Sequence, residues 1–196
     1  MTLHFLRSFF GALAFVAVVS HPAAAGAADF AKPGTRITWS WSALSSDGTR
    51  EKGTNTVQAA SSRGHVGKYK RKGESKTRNF VPACWVCGGD SYNYDKKAYA
   101  ELWPLETGKT VQVTLKRKKD GRVRVSTITV GKLQKVKLAF GTVQAYQITE
   151  VMRGINGSSY KATYTSYWAP EIGWNVKYDR KSSSGSRYKG EVTSVQ

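Results

Sequence analysis

The sequence predicts an all-β protein, an antiparallel meander that forms a curved sheet, a half-barrel or an open barrel, with at most one short helix. First, runs rich in Val, Ile, Thr and aromatic residues alternate between apolar and polar positions, as half-buried strands do. Second, turns containing Gly, Asn or Asp separate these runs at the spacing of strands that pair with their sequence neighbours. Third, a single segment of the mature chain, 95–102, has the pattern of a helix of one or two turns.

The beginning of the chain, residues 1–28, is predicted to be a signal peptide. Arg7 precedes an apolar run over 9–19, and small residues at 23–28 follow it, which is the pattern of a secretory signal and its cleavage region. We therefore expect residues 29–196 to form a single β-rich domain of a periplasmic or secreted protein. No later segment is long and apolar enough to span a bilayer, so we expect no transmembrane segment after signal removal.

The chain is strongly basic. It carries 31 Lys and Arg against 13 Asp and Glu, a net charge of +18, and the loss of Arg7 with the signal peptide leaves about +17. Such an excess attracts anions over a long range. Nucleic acid is the usual partner of so basic a domain, but export makes it less available. We expect an anionic membrane surface or an acidic envelope polymer instead.

The first predicted strand, 36–43, places Ile37, Trp39 and Trp41 on one face, and a polar strand over 50–59 returns beside it. We expect the tryptophans to pack in the core. The following stretch, 61–78, is basic and contains one acid, Glu74. We expect it to form a solvated hairpin or loop. Its central cations are a second candidate anion site: Lys68, Lys70, Arg71 and Lys72.

Cys84 and Cys87 are the two cysteines of the chain, and several kinds of site are compatible with their spacing. Covalent haem attachment requires His directly after the second Cys, where Gly88 stands. Zinc requires about four ligands, and His65 is the single histidine of the mature chain. A redox dithiol remains an alternative, although Gly88 and Gly89 disfavour the helix that such a motif opens. We expect a structural disulfide in an oxidising compartment, and neither a metal nor another cofactor.

The central hairpin, 110–130, is the clearest turn signal of the chain. Two registers compete around Asp120 and Gly121. We favour a three-residue loop that pairs Lys118 with Arg122, because it places all the apolar side chains on one face. Those side chains are Val111, Val113, Leu115, Val123 and Val125.

This register brings basic residues together on the opposite face near the hairpin tip. Like charges directly opposite on a sheet repel one another, so the cluster is either a solvated tip or a site for an anion. Its candidate anion-binding residues are Lys116, Lys118, Lys119, Arg122 and Arg124. The strands predicted after the hairpin are 133–139, 142–153, 160–168, 174–178 and 188–195, with a flexible loop over 180–187 before the last.

Three segments together resemble a known family. Residues 101–110, ELWPLETGKT, are similar to a "yPL.vGKt" segment, 139–143, AFGTV, to a "paGtf" turn, and 165–177, TSYWAPEIGWNVK, to "t.WyaPevG.vvk". In this order they resemble a family of uncharacterised exported bacterial proteins related to lipoprotein-carrier-like half-barrels, over about residues 101–180. The resemblance implies a curved antiparallel sheet with an apolar concave side, and it brings no catalytic residues.

The function classes rank accordingly. An enzyme is the weakest, because His65 would have to serve any Ser-His-Asp or Cys-His mechanism, and nothing singles out the acids between 90 and 106. We expect a non-enzymatic binding protein that engages anionic envelope components, namely lipid headgroups, lipopolysaccharide or an acidic polymer, through its basic hairpins. The alternative is a periplasmic carrier of an apolar or amphipathic ligand in a half-barrel groove, and a CxxC redox protein ranks third.

Overall fold

The computed structural model describes residues 30–63, 66–88 and 91–196. The predicted signal peptide, His65, Gly89 and Asp90 lie outside these ranges. Eleven strands and one helix occupy the described residues. In chain order they are β1 (Arg36–Leu44), β2 (Arg50–Arg63), β3 (Val66–Arg71), β4 (Thr77–Phe80), β5 (Tyr92–Tyr94), α1 (Lys96–Ala100), β6 (Thr110–Arg117), β7 (Val123–Leu138), β8 (Gly141–Gly154), β9 (Lys161–Ala169), β10 (Trp174–Ser182) and β11 (Arg187–Val195).

The strands form one antiparallel sheet in the order β4-β3-β2-β1-β11-β10-β9-β8-β7-β6-β5. The predicted all-β meander with one short helix is therefore confirmed. Sequence neighbours pair everywhere except at one place, because β4 and β5 lie at opposite edges of the sheet. The centre of the sheet is instead completed by β1 pairing with β11, the first strand with the last.

Several strands are longer than the sequence patterns indicate. The predicted break at Gly131 is a bulge between Val130 and Leu133, and β7 continues through it as a single strand. A side chain at Gly131 would meet the carbonyl oxygen of Gln147 at 2.9 Å, so glycine allows the neighbouring strand to approach there. The predicted loop over 180–187 shrinks to a turn after Ser182, because β10 and β11 remain paired as far as Lys181 and Arg187.

The central hairpin has a register different from the predicted one. Lys116 pairs with Val123 and Leu115 with Arg124, and hydrogen bonds of 2.8 Å join Arg117 N–H to the Arg122 oxygen and Gly121 N–H to the Arg117 oxygen. The turn is therefore four residues long, and β7 is displaced by one residue against β6. The β7 side chains of residues 123–130 consequently lie on the face opposite to the predicted one.

Polar contacts explain why the prediction was wrong. The predicted register maximised the number of valines on one face, whereas the observed one places Ser126 and Arg124 there. Ser126 is fully buried and its hydroxyl donates a hydrogen bond to Glu150. The guanidinium of Arg124 lies over two tyrosine rings. Partners on other strands thus satisfy polar groups that alternation alone would assign to solvent.

One face of the sheet, called here the inner face, is covered by segment 81–105. Its buried members are Val81, Ala83, Cys84, Cys87, Tyr99, Leu102, Trp103 and Leu105. They pack in one cluster with inner-face residues of β6 to β9, such as Val113, Ile128 and Trp168. A second cluster contains Ile37 and Trp39, which are buried as predicted, whereas Trp41 is only partly buried against it. The inner face is therefore largely filled by the chain itself.

Helix α1 begins within this covering segment. The carboxylate of Asp95 caps it by accepting hydrogen bonds of 3.0 Å from the backbone N–H groups of Lys97 and Ala98. One turn later Tyr99 is buried, and its hydroxyl donates a 2.7 Å hydrogen bond to the Pro82 oxygen. This bond ties the helix to the stretch that leads into Cys84 and thereby helps to position the disulfide loop.

Candidate functional site

The hairpin tip is where the predicted anion-binding residues were expected to share one face. Lys118 and Lys119 lie in the exposed turn, and Lys116 points from β6 to the outer face of the sheet, opposite to the inner face. Arg122 is also exposed, but its Nε lies 3.3 Å from the Asp120 carboxylate. Arg124 lies on the inner face and leaves the cluster. Whether the remaining tip residues bind anions stays a prediction.

Asp120 partly neutralises the tip. Its carboxylate accepts hydrogen bonds from the guanidinium of Arg117, which hold the pKa of Asp120 well below its usual range, and the backbone N–H of Arg122 adds to the effect. The sequence indicated a turn at Asp120, but it did not show that the acid would bind two of the surrounding arginines. The positive charge of the tip therefore rests mainly on its lysines.

The second basic stretch forms the hairpin of β3 and β4. Lys68, Lys70 and Lys72 are exposed, whereas Arg71 is half-buried. The Glu74 carboxylate lies 3.9 Å from Nη1 of Arg71 and accepts a 2.9 Å hydrogen bond from Nε of Arg78. This hydrogen bond is the main cause that lowers the pKa of Glu74. Anion binding by this hairpin likewise stays a prediction.

A third group of cations lies on the outer face at the centre of the sheet, and sequence reasoning missed it. Arg50 pairs with Leu44, Leu44 with Arg187, and Arg187 with Lys181, so three cations lie in one row across four strands. Lys52 lies one row along, next to Ser42. We call Arg50, Lys52, Lys181 and Arg187 the outer cation group; all four are exposed.

Acidic side chains neutralise only part of the positive charge on this surface. Lys177 pairs with Glu191 at 3.0 Å and Lys189 with Asp179 at 3.8 Å. By contrast, no carboxylate of the described residues lies within 4 Å of a member of the outer cation group. Lys52 and Lys181 line an open groove of about 760 Å³, which both ion pairs also line. Arg50 and Arg187 line a neighbouring groove together with Lys52. Their positions in sequence, 50–52 and 181–187, are far apart, and only the pairing of β1 with β11 brings them together.

Cys84 and Cys87 are joined by a disulfide. Both sulfurs lie within the inner core, with the residues only 1% and 4% exposed, and the loop between them carries the partly exposed Trp85. The Trp85 ring lies 4.9 Å from that of Tyr178 and 5.4 Å from that of Tyr188, measured between centroids. The disulfide loop therefore holds an indole against the tyrosines of β10 and β11.

A buried carboxylate anchors this loop. The backbone N–H of Trp85 donates a 2.8 Å hydrogen bond to Glu150, whose other oxygen accepts from Ser126 and lies 3.9 Å from the Cys84 sulfur. Burial raises the pKa of Glu150 to about 7, against the two hydrogen bonds, which lower it. The sequence did not predict the role of Glu150, because the alternation of apolar and polar residues in β8 shows only that position 150 faces inward.

Two cavities remain on the inner face, and Trp85 and Tyr188 line both of them. The first, of about 280 Å³, has aromatic walls that include Trp39, Tyr69 and Trp174. At its wall the side-chain oxygen of Asn175 is buried without a hydrogen-bond partner. The second, of about 340 Å³, lies on the other side of Trp85 and contains two arginines, Arg124 and Arg180.

Neither a metal cluster nor a spanning helix is found in the part of the chain that the structure describes. No group of three or more His, Cys, Asp and Glu side chains there could hold a metal ion. No helix within the same residues has the length and hydropathy required to cross a membrane.

Comparison with known proteins gives little further guidance. The chain matches no protein-family model and no curated protein. Among solved structures, it is similar to a Bacteroides fragilis protein with a YmcC-like fold, at 10% identity and a TM-score of 0.46, over 87% of this chain and 99% of that one. It is also similar to the hypothetical lipoprotein YmcC of Escherichia coli, at 9% identity and a TM-score of 0.49, over 83% and 84%. Likeness at this level carries no argument about function.

Proposed function

We propose that this chain is an exported, non-enzymatic protein that binds anionic surfaces of the cell envelope, with phosphate-bearing lipid headgroups or lipopolysaccharide as the partner class. The observation that carries the proposal is the outer cation group. Its four exposed side chains lie on neighbouring strands, and none of them forms an ion pair with a carboxylate of the described residues. An acidic polymer of the envelope would exploit the same charge, and the experiment below separates the two.

The physical argument rests on repulsion that an anionic surface relieves. Arg187 and Lys181 are directly opposite on β11 and β10, a placement that costs a few tenths of a kcal/mol to about 1 kcal/mol. Each Lys or Arg near an anionic membrane contributes about 1 kcal/mol of attraction. Four together contribute about 4 kcal/mol, or roughly three orders of magnitude in affinity. Attraction of this kind weakens as salt screens it.

The filled inner face supports this proposal over a carrier of long apolar chains. A carrier of such chains requires an open apolar groove, whereas segment 81–105 packs its apolar side chains against the sheet. The aromatic cavity of about 280 Å³ with its unpartnered Asn175 oxygen favours, as a second candidate, a small amphipathic ligand. Binding of that kind should depend little on salt, which distinguishes it from surface binding.

The test is sedimentation of the mature protein with vesicles of phosphatidylglycerol and phosphatidylcholine, compared with vesicles of phosphatidylcholine alone. We expect binding to the anionic vesicles only, and a steep loss of affinity between 50 and 500 mM salt, on the order of 100-fold. Failure to bind anionic vesicles at low salt would overturn the proposal. If the protein is retained on an immobilised acidic polysaccharide but does not bind vesicles, its partner is an acidic polymer and not a lipid surface.

Matched variants locate the binding surface. One replaces Arg50, Lys52, Lys181 and Arg187 with Gln, and a second makes the same change in charge at the tip, at Lys116, Lys118, Lys119 and Arg122. A third changes Lys68, Lys70, Arg71 and Lys72. We expect the first variant to lose most of the binding and the other two to lose less. Equal losses from all three would show that net charge alone attracts the surface and would contradict the assignment to the outer cation group.

A further inference from the structure

The second inner cavity holds two arginines in one small space. Arg124 projects from β7, and its Cζ lies 3.9 Å from the centroid of the Tyr160 ring and 5.7 Å from that of Tyr92. Arg180 projects from β10, with its Cζ 5.7 Å from the centroid of the Tyr164 ring. Guanidinium groups stack well on aromatic faces. Each guanidinium therefore lies near a tyrosine ring, and strand pairing brings together two arginines that are more than fifty residues apart in the sequence.

Tyr160 connects the two arginines. Arg124 lies over its ring, and the Tyr160 side chain also interacts with Arg180. Burial by itself would lower the pKa of Arg180, but interactions with Tyr160 and Tyr164 outweigh it, so the guanidinium remains charged. Tyr160 and both arginines therefore line the same cavity.

No carboxylate neutralises this pair within the described ranges. Neither arginine forms an ion pair there, and no Asp or Glu of those ranges lines the cavity. Glu150 lies on the inner face in β8, the strand between those of Tyr164 and Ser126. Its two oxygens are already engaged by Ser126 and the Trp85 N–H. Among the described residues, no carboxylate takes up the charge of either arginine, and this is the charge that a ligand would meet.

Apart from Ser91 and the tyrosine hydroxyls, the rest of the cavity lining is apolar. Trp85 and Val86 of the disulfide loop and Met152 of β8 line it together with the tyrosines, and its volume is about 340 Å³. Such a volume and such walls are typical of a small-molecule site with a few oriented polar groups. The ligand class that matches has a doubly charged head for the arginines and a small apolar or aromatic body for the remaining walls.

We propose that the cavity between Arg124 and Arg180 binds a single phosphate monoester that carries a short apolar or aromatic substituent. A phosphate monoester has a charge of about −1.5 to −2 at pH 7 and three acceptor oxygens, which matches two guanidinium forks. A carboxylate would leave one arginine without a counter-charge. The phosphate can come from a lipid headgroup or from a soluble monoester. This inference does not depend on surface binding by the outer cation group.

The test is titration calorimetry with three soluble probes: phenyl phosphate, dihexanoyl phosphatidic acid and inorganic phosphate. We expect phenyl phosphate or the short-chain lipid to bind more tightly than inorganic phosphate, because each adds contacts with the apolar walls. The tighter of the two identifies the source of the phosphate. Phenol, which lacks the phosphate, should not bind; equal binding of phenol and phenyl phosphate would overturn the proposal, and so would failure of both phosphate esters to bind.

Substitutions connect the binding to the two arginines. Arg124→Gln and Arg180→Gln should each weaken the tighter ester roughly 10- to 100-fold, because each removes charge-assisted hydrogen bonds. Arg124→Lys and Arg180→Lys retain the charge and should lose less, which keeps the test informative if a Gln variant unfolds. Unchanged affinity in a folded Arg124→Gln, Arg180→Gln double variant would contradict the site.

The outer-face variant described above is the matched control. It should lose vesicle binding and retain the affinity for the phosphate ester, because none of its four residues lines the cavity. Conversely, the double arginine variant should retain its salt-sensitive vesicle binding. Loss of ester binding in the outer-face variant would show that the ester is held by the surface field, and the cavity assignment would be wrong.

Discussion

At the scale of single residues, Glu150 is the group with the most unusual environment. It is 2% exposed and holds the disulfide loop through the Trp85 N–H. Burial raises its pKa to about 7 in the folded chain, from 4.5 in the unfolded one. The folded state therefore binds the proton of Glu150 more tightly than the unfolded state does. This proton binding contributes fully to the free energy of unfolding below pH 4.5. The contribution, up to about 3 kcal/mol, is lost as the pH rises through 7.

The substitution Glu150→Gln tests whether Glu150 causes this pH dependence of stability. The variant cannot titrate at this position, so its free energy of unfolding should decline less than that of the wild type between pH 4.5 and 8. Across that range the free energy of unfolding of the variant should rise by about 3 kcal/mol relative to that of the wild type. Urea unfolding at four pH values measures it. The half-exposed Glu191→Gln serves as control, and parallel curves for Glu150→Gln and the wild type would contradict the buried ionisation.

At the scale of elements, the disulfide loop joins the covering segment to the sheet. It closes a ring of only four residues, for which the loop-closure relation gives about 2 kcal/mol of stabilisation. We expect the double substitution of Cys84 and Cys87 by Ser to lower the free energy of unfolding by about this amount, as measured by urea unfolding.

The same loop should have no disulfide-exchange activity. Thiolate attack requires access to a sulfur, and Cys84 and Cys87 are 1% and 4% exposed. In an insulin-reduction assay we expect turnover no higher for the wild type than for the double Ser variant. Turnover by the wild type that the variant loses would restore the redox alternative.

The elements also show how far sequence patterns reach. Alternation located most strands, including β1 with Ile37 and Trp39 inward, because a strand buried on one face repeats every two residues. It could not locate the register of the central hairpin, because the inward positions of Arg124 and Ser126 depend on tyrosines and a carboxylate from other strands. The patterns likewise divided β7 at Gly131, since a bulge and a turn both use glycine.

The candidate sites were harder to predict than the strands for the same reason. The sequence marked the tip and the second basic stretch, where cations are adjacent in the chain. It missed the outer cation group and the pair Arg124 and Arg180, whose members are assembled by strand pairing over long distances. Charge density along a sequence and charge density on a surface are different quantities in a sheet of this kind.

At the scale of the whole molecule, β11 lies in the middle of the sheet although it is the last of the described strands in sequence order. It pairs with β1 on one side and β10 on the other, and the Thr193 hydroxyl donates to the Thr38 oxygen across a separation of 155 residues. A chain that ends at Ser186 would leave two central edges unpaired. We therefore expect it to lack cooperative unfolding, as measured by circular dichroism during urea titration.

A peptide of residues 187–196 should restore the cooperative transition when added to the truncated chain, because it supplies the missing strand. A peptide with the same residues in scrambled order is the control. A truncated chain that unfolds cooperatively without any peptide would contradict the central role of β11.

The pairing of β1 with β11 also sets an order of events when the chain is made. Synthesis begins at the N-terminus, so β1 is made well before its partner β11. Until β11 is made, β1 to β4 and β5 to β10 can form only two separate ladders, joined by the chain between β4 and β5. The native sheet therefore cannot close on a nascent chain, and a ribosome that stops before residue 187 releases a product with two bare strand edges, open to association with other chains.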